Sequence, residues 1–350
     1  MKRIAWVDTA KYICIMAVML EHLESITDEL SCFLSPFFVL AFFFVAGYTH
    51  KPGQRFSAFF LKKLRTLFVP WLIFSVLDIA LSQLVSFSEH RSFTTELAWN
   101  FLQIRGQGDQ IWFVAALFIT FVPFYFFIEW YNKKPQAGAL RGALFAALSL
   151  LLFMLDVLYS NFMDASRLPW GTTALPWHVE YIFQAMFYMT LGYMFKQHWE
   201  AAFDAVNNIA GRFMLAAVYI IVVYAPYFTV IPESVFRVFA VFITPILGIL
   251  LVVALSKVIK PNRYILYVGQ NTLIYFALHG KVFGFIEVML RRFAPGLYSA
   301  VLADMLLSNL FAIAFALVLS FILLIPTYII NRWLPFMLGR RRRAAAYAQS

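Results

Sequence analysis

Residues 5–22 read AWVDTAKYICIMAVMLEH, an apolar run with an acidic and a basic residue near its start and a histidine at its end. Basic residues precede the run, as they do in a signal peptide. However, Glu21, His22 and Glu24 stand where a cleavage site needs small residues. We therefore predict that this stretch is retained as the first membrane-spanning helix.

The composition of the whole chain also indicates a membrane protein. Of its 350 residues, 62% are hydrophobic, 19% aromatic and only 13% charged, which argues against a soluble protein. A net charge of +10 would favour nucleic-acid binding if the basic residues shared one polar face. Here they form short clusters between apolar runs, so we predict no nucleic-acid partner.

Ten apolar stretches are each about 20 residues long, enough to cross a hydrocarbon core of about 30 Å. They begin near Val7, Cys32, Leu64, Ile111, Leu140, His178, Phe213, Val238, Tyr264 and Val301. Polar residues interrupt the ninth stretch, so a re-entrant segment is an alternative there. The predicted fold class is all-α, a polytopic transmembrane helix bundle of about ten spanning helices.

The basic residues also predict the orientation. With both termini in the cytoplasm, the inner side carries about three times as many lysines and arginines as the outer side. The outer side then receives the loop from Ser88 to Asp109 and the stretch from Ser160 to Pro176. Interfacial anchoring is the expected role of Trp6, Trp71, Trp112, Trp130, Trp170, Trp177 and Trp333, which lie near predicted helix ends.

Lys11 and His22 share one face of the first predicted helix. They are eleven residues apart, which is three turns plus about 20° and a rise of about 16 Å. This spacing suits an extended ligand, and an imidazole can take a proton from a hydroxyl or carry an acyl group. The alternative is that Lys11 pairs with Asp8 while His22 lies at the outer headgroups.

A second basic pair, Lys62 and Arg65, stands before the third apolar stretch. At a spacing of three residues the two side chains share a face of an α-helix. At the mouth of a helix bundle such a pair can bind phosphate oxygens, because arginine offers a bidentate fork and lysine a compact charge. The alternative is a positive-inside anchor that contacts anionic lipid.

Polar residues in the later stretches are further candidates. Asn271, Tyr275 and His279 follow one another at intervals of four residues, and a stripe of this kind faces protein or water rather than lipid. His279 is predicted to lie towards the outer side, where it either lines an acceptor pocket or packs in the protein. Glu180, just inside the sixth stretch, is an ionisable group whose partner the sequence does not reveal.

Several motifs occur in a fixed order along the chain. They are the Asp-x-x-Lys start at Asp8 to Lys11, the ten residues between Lys11 and His22, FFFVAGY at 42–48, KKLR at 62–65 before Pro70, IWF at 111–113, LPW at 175–177, LGY at 191–193, and GQNT at 269–272 leading to His279. Together these motifs resemble the acyltransferase-3 family of bacterial membrane O-acyltransferases. That family includes fucose-4-O-acetylase-like and lipopolysaccharide O-acetylase-like members, and the resemblance spans most of the chain.

The resemblance implies an acyl-CoA donor, usually acetyl-CoA, on the cytoplasmic side and a carbohydrate or glycolipid hydroxyl of the cell envelope as acceptor. It favours His22 as catalytic base or acyl carrier. The donor-binding residues it favours are Lys11, Lys62 and Arg65. We predict substrate-binding roles for Trp112, Glu180, Asn271 and His279, contact with membrane lipids, and no metal site.

We therefore predict a multi-pass enzyme of the cytoplasmic membrane. An acyltransferase-3-like transmembrane domain would occupy residues 1–338 and a basic cytoplasmic tail residues 339–350. The alternative from another functional class is a transporter or flippase of a lipid-linked sugar. Such a protein also needs many spans and buried ions, but the sequence shows no paired halves with matching broken helices.

Overall fold

A computed structural model describes residues 4–85, 92–107, 111–133, 138–163, 168–228 and 242–340, and the regular structure in these ranges is helical. The α-helices are α1 (Ala5–Glu21), α2 (Asp28–Leu34), α3 (Phe38–Tyr48), α4 (Phe56–Lys63), α5 (Val69–Val85), α6 (Phe93–Leu102), α7 (Trp112–Asn132), α8 (Gly138–Phe162), α9 (Tyr181–Met194), α10 (Glu200–Val206), α11 (Ile209–Phe228), α12 (Thr244–Val258), α13 (Arg263–Gln270), α14 (Thr272–Phe293), α15 (Pro295–Leu302), α16 (Met305–Ile322) and α17 (Leu324–Trp333). Short π-helices occupy Leu64–Phe68 and Phe195–Trp199, and 3-10 helices occupy Pro176–His178 and Pro335–Leu338. The prediction of an all-α chain is confirmed.

Within the described ranges, six helical stretches are long and apolar enough to cross a membrane. They are Asp28–Tyr48, Phe56–Gln83, Trp112–Asn132, Ile209–Pro226, Thr272–Phe293 and Met305–Trp333. Shorter apolar helices cover Gly142–Leu155 and Thr244–Val258. The chain is thus a multi-pass membrane protein. The number of ten spans remains a prediction, since the stretch expected to begin near Val238 starts outside the described residues. The orientation of the chain in the membrane also remains a prediction.

One predicted loop is partly helical. The region from Ser88 to Asp109, expected to be an external loop, contains α6 within its described part. The Ser92 hydroxyl caps this helix by accepting a hydrogen bond from the Thr95 amide at 3.3 Å. Glu96 lies in the first turn, where a negative charge interacts favourably with the helix dipole. The region predicted as a loop is thus helical over Phe93–Leu102, because Ser92 and Glu96 supply helix-start signals.

The interruption predicted in the ninth stretch lies at Asn271. Helix α13 ends at Gln270 and α14 begins at Thr272, so Asn271 connects two helices. The Asn271 side chain donates a hydrogen bond to the Tyr267 carbonyl at 2.7 Å. This bond satisfies one of the carbonyl groups that a helix end leaves without an intrahelical partner.

The chain forms two compact units. The first contains the residues up to Tyr48 and Gly192–Thr327, and the second contains Thr49–Leu191 and the residues from Tyr328 onward. The proposed boundary between residues 1–338 and a basic tail remains a prediction, because residues 341–350 lie outside the described part of the chain.

In the first unit, α1 is the central helix. It packs against α3, α12, α13, α14 and α16. Many of its side chains are buried, and Cys14, Ile15 and Met19 have almost no contact with solvent. Close helix approach depends on glycine at the contact with α13. A Cβ atom at Gly269 would overlap the carbonyl oxygen of Asp8 in α1. The two backbones therefore touch directly, as small residues allow in membrane bundles.

In the second unit, α4 runs through the π-helix Leu64–Phe68 into α5, and α6 and α7 pack beside them. The interior is aromatic. Trp71 at the beginning of α5 is completely buried, with its ring 4.9 Å from Trp177 and 5.9 Å from Phe101. The expectation that Trp71 anchors at the membrane interface was therefore wrong, because the segment around Trp177 and helix α6 cover it.

Candidate active site

His22 lies immediately after α1 and is exposed. Its Nδ1 atom is 2.7 Å from the carbonyl oxygen of Val18. A carbonyl oxygen can only accept a hydrogen bond, so in the neutral ring Nδ1 carries the proton and Nε2 carries the lone pair. The last turn of α1 therefore holds His22 in the tautomer that a general base needs.

His279 of α14 lies against His22. The ring centroids are 4.8 Å apart with the planes at 82°. His279 is 6% exposed, and its Nδ1 donates to the carbonyls of Phe276 at 2.9 Å and Tyr275 at 3.1 Å. Its Nε2 is buried and has no hydrogen-bond partner within the described ranges. The structure thus pairs two imidazoles whose Nε2 atoms both carry lone pairs.

Lys11 is held by Asp8. The Lys11 ammonium lies 2.7 Å from Asp8 Oδ1, and Gln270 Nε2 donates to Asp8 Oδ2 at 3.2 Å. The pairing of Lys11 with Asp8 that the spacing suggested is confirmed. Sequence reasoning missed the contribution of Gln270, since its contact with Asp8 joins residues 262 positions apart.

The charges beyond His22 fix the loop that follows α1. Arg291 pairs with Glu24 and, at 2.9 Å, with Glu287. A hydrogen bond from Glu287 and the charge of Arg291 lower the pKa of the Glu24 carboxyl, so it stays ionised. Burial, followed by the charges of Glu287 and Glu24, raises the pKa of Tyr298 to about 12. This network ties the residues after His22 to the end of α14 and to α15.

Lys62 and Arg65 belong to the second unit, and both are exposed. Lys62 lies in the last turn of α4, whereas Arg65 lies in the π-helix. A π-helix has a wider turn, so the angle between the two side chains differs from that of a regular α-helix. The neighbouring Lys63 points inward, with its Nζ 3.2 Å above the Phe121 ring.

Trp112 and Glu180, also of the second unit, both lie beside His178. The Trp112 ring is 5.6 Å from the ring of His178. The Arg105 guanidinium lies 4.3 Å above the Trp112 ring. Glu180 Oε2 accepts a hydrogen bond from the Leu175 amide at 2.9 Å, and its Oε1 is 3.9 Å from His178 Nδ1. One partner of Glu180, which the sequence did not reveal, is thus a backbone amide in the preceding turn.

The four predicted substrate residues are therefore divided between the units. Asn271 and His279 lie in the first unit, and Trp112 and Glu180 in the second. Asn271 is 8% exposed and its amide is engaged with the Tyr267 carbonyl. Of the residues singled out from the sequence, the structure brings His22 and His279 into direct contact and joins Trp112 and Glu180 through His178.

Comparison with known proteins identifies a family for this chain. A family model described as an acyltransferase domain matches residues 4–328, which is nearly the whole chain. Neither the curated proteins nor the solved structures contain a match.

Proposed function

This chain belongs to the acyltransferase-3 family, and on that premise we propose that it moves an acetyl group from acetyl-CoA to a hydroxyl of a carbohydrate or glycolipid of the cell envelope. Family membership and the apolar helices establish a membrane acyltransferase in general terms. The observation that carries the proposal further is the histidine pair. His22 is exposed, its Nε2 lone pair is oriented by Val18, and His279 lies beside it.

In the proposed reaction, His22 Nε2 takes the proton of the acceptor hydroxyl as the oxygen attacks the thioester carbonyl. The C–S bond then breaks, and the leaving thiolate of coenzyme A takes up the proton from His22. The products are the acetyl ester and the free thiol. A positioned base of this kind contributes about 10² to 10⁴ in rate. The alternative role of His22 is to carry the acetyl group itself before the acceptor receives it.

For the donor, we assign Lys11, Lys62 and Arg65 to the phosphate groups of coenzyme A. Support for Lys11 comes from its fixed position against Asp8. Support for Lys62 and Arg65 comes from their exposure and charge. A phosphate-rich donor cannot enter hydrocarbon without such partners, because burying its charges unpaired is too costly.

For the acceptor, we assign His279, Asn271, Trp112 and Glu180. The buried Nε2 of His279 can accept a hydrogen bond from a second hydroxyl of the acceptor. Asn271 and Glu180 supply polar groups, and Trp112 supplies an aromatic face. The enzyme would act in the cytoplasmic membrane, taking acyl-CoA from the cytoplasm and delivering the acyl group to an envelope glycan.

The experiment is transfer of radiolabelled acetyl from acetyl-CoA in isolated membranes, with wild type, His22→Ala and a matched control, His198→Ala. His198 is an exposed histidine of the π-helix Phe195–Trp199. We expect His22→Ala to lower the transfer rate at least about 100-fold at equal protein level, since it lacks the base, and His198→Ala to leave it unchanged.

Retention of more than about a tenth of the wild-type rate in His22→Ala would show that His22 is not the base. A transporter or flippase would form no acetylated product in any of these membranes. Incubation with labelled acetyl-CoA but no acceptor distinguishes the two roles of His22, because only an acyl carrier would retain label on the protein.

A further inference from the structure

The π-helix Leu64–Phe68 leaves the backbone carbonyl of Arg65 without its usual partner inside the helix. In an α-helix this carbonyl would accept a hydrogen bond from the N–H of Val69, four residues further on. Here the Val69 N–H donates to the Leu64 carbonyl, as the wider π-helical turn requires. In the π-helical pattern the donor to Arg65 would be residue 70, which is Pro70 and has no N–H. The π-helix and the proline together thus deprive the Arg65 carbonyl of both helical hydrogen bonds.

The C-terminal turn, which comprises the 3-10 helix Pro335–Leu338 and Gly339, lies against this carbonyl. A Cβ atom added at Gly339 would overlap the carbonyl oxygen of Arg65. The backbones of Gly339 and Arg65 therefore meet with no room for a side chain between them. Both residues belong to the second unit, although 274 positions separate them in the sequence.

The conformation of the turn also requires a glycine at this position. Gly339 has a φ of +63°, in the left-handed region that residues with a Cβ rarely adopt. Its N–H donates to the Phe336 carbonyl at 2.9 Å, and the Arg340 N–H donates to the Pro335 carbonyl at 3.1 Å. Glycine commonly closes helix ends in this way. Any other residue here would be disfavoured both by its φ and by the Arg65 carbonyl.

Buried side chains fix both the turn and the segment that carries Arg65. Met337 and Leu338 are each 7% exposed, and the turn packs on α5 and on the π-helix. Lys63, two residues before Arg65, places its Nζ 3.2 Å above the Phe121 ring. Arg65 itself is exposed. The segment is thus held by its neighbours, while Arg65 remains accessible to a ligand.

We propose that Gly339 is a positioning residue of the donor site. By its contact with the Arg65 carbonyl, the C-terminal turn fixes the backbone from which the Arg65 guanidinium reaches the phosphates of coenzyme A. A guanidinium binds phosphate through two parallel N–H groups, so its orientation matters more than that of a point charge. This inference rests on the proposed role of Arg65 in donor binding, and it extends the donor site to the C-terminal turn.

The test measures binding of coenzyme A, without acceptor and without acetyl transfer. Full-length protein in phosphatidylcholine nanodiscs is titrated with coenzyme A and followed by isothermal titration calorimetry. The variants are Gly339→Ala, Arg65→Ala and the two combined. Gly53→Ala is the matched control, since Gly53 also has a positive φ, at 82°. Apart from its chain neighbours, the described part of the chain places no atom within 4 Å of a Cβ added there, so this variant adds the strain without the overlap.

We expect Gly339→Ala to raise the dissociation constant for coenzyme A at least about fivefold, as the loss of one hydrogen bond predicts, and no further than Arg65→Ala raises it. Gly53→Ala should bind like wild type. In the combined variant, Gly339→Ala should add nothing to the loss caused by Arg65→Ala, because the side chain that it positions is gone. A glycine with a merely structural role would weaken binding in both backgrounds.

Variants are compared after size-exclusion chromatography shows equal folded fractions. If Gly339→Ala does not fold, Leu338→Ala takes its place, since it loosens the same buried turn without overlapping Arg65. The proposal is overturned if the variant of the turn binds coenzyme A like wild type, or if it weakens binding equally with and without Arg65. Either result leaves the proposed function standing. If wild type does not bind coenzyme A, or if Arg65→Ala binds it like wild type, the proposed donor role of Arg65 is overturned as well.

Discussion

At the residue scale, backbone carbonyls decide the chemistry of the two histidines. His22 and His279 each commit Nδ1 to a carbonyl of the preceding helical turn, which leaves Nε2 as the basic atom of each ring. A histidine on a helix can make this bond to its own turn without help from a distant residue. A local contact therefore sets the tautomer of each histidine, whereas a contact between distant parts of the chain brings His279 beside His22.

A first prediction concerns Gly269, where an added Cβ atom would overlap the Asp8 carbonyl oxygen. Gly269→Ala places a methyl group on that oxygen, so α13 must move away from α1. We expect a loss of at least about 1 to 3 kcal/mol of stability, as for other overpacked sites, together with a raised Michaelis constant for acetyl-CoA because Gln270 leaves Asp8.

Gly280→Ala in α14 is the control for this substitution. No atom lies within 4 Å of its added Cβ, and alanine favours a helix over glycine by about 1 kcal/mol. Thermal denaturation in detergent compares the two variants. Equal melting temperatures would contradict a close contact between α1 and α13.

A second prediction separates phosphate binding by Arg65 from lipid anchoring. Arg65→Lys should raise the Michaelis constant for acetyl-CoA, because a point charge replaces a bidentate fork, and Arg65→Ala should raise it further. Losing a charge-assisted hydrogen bond of about 1.5 to 3 kcal/mol corresponds to a change of roughly tenfold to more than a hundredfold. The constant for the acceptor should stay the same.

Arg55→Lys serves as the matched control, since Arg55 precedes α4 in the same basic segment and is exposed. If neither Arg65 variant alters the donor constant, Arg65 contacts lipid and not the donor.

At the element scale, short departures from α-helical geometry position the polar groups. The π-helix Leu64–Phe68 carries Arg65, the break at Asn271 separates α13 from α14, and the π-helix Phe195–Trp199 leads into α10. π-helical turns are uncommon and often occur at functional sites. After the second π-helix, Glu200 accepts hydrogen bonds from the Tyr48 hydroxyl at 2.9 Å, which links α10 to the end of α3.

A third prediction concerns the ion pairs at the end of α12. Lys257 lies 2.6 Å from Glu200 and 2.8 Å from Asp204, with its side chain only 12% exposed. Lys257→Met would leave two carboxylates facing each other without a cation. We expect the free energy of unfolding to fall by an amount between two limits. Losing a surface ion pair costs roughly 0 to 1 kcal/mol, and breaking a buried one costs roughly 3 to 5 kcal/mol.

Lys260→Met, at an exposed lysine just beyond α12, should cost little by comparison. Adding Glu200→Gln to Lys257→Met should restore part of the loss, because it removes one of the unpaired charges. Melting temperatures of the three variants in detergent measure these effects. A Lys257→Met protein as stable as Lys260→Met would show that the pairs contribute nothing.

At the scale of the whole molecule, the chain forms two compact units, and its described part contains six apolar helices of spanning length. The basic residues of the sequence predict which ends of these helices face the cytoplasm. This orientation decides on which side acyl-CoA would be taken up. It is therefore the global property that most affects the proposed reaction.

A fourth prediction tests that orientation by labelling. In a Cys32→Ser background, Lys133→Cys should be protected from an impermeant maleimide in intact cells, whereas Ala98→Cys should react. Both positions are exposed, and the remaining Cys14 is buried. After permeabilisation both variants should be labelled. Labelling of Lys133→Cys in intact cells would reverse the predicted topology, and with it the sides assigned to donor and acceptor.

The sequence by itself determined that the protein is a helical membrane protein, which family it belongs to, and that His22 is a candidate catalytic residue. It could do so because hydropathy and the spacing of motifs are local properties of the chain. Even the pairing of Lys11 with Asp8 followed from helical spacing. Only the tertiary structure decided that His279 contacts His22, that Gln270 holds Asp8, and that Trp71 is buried against Trp177 and Phe101. These contacts join helices far apart in sequence, and helix periodicity fixes which face a residue occupies but not which helix packs against that face.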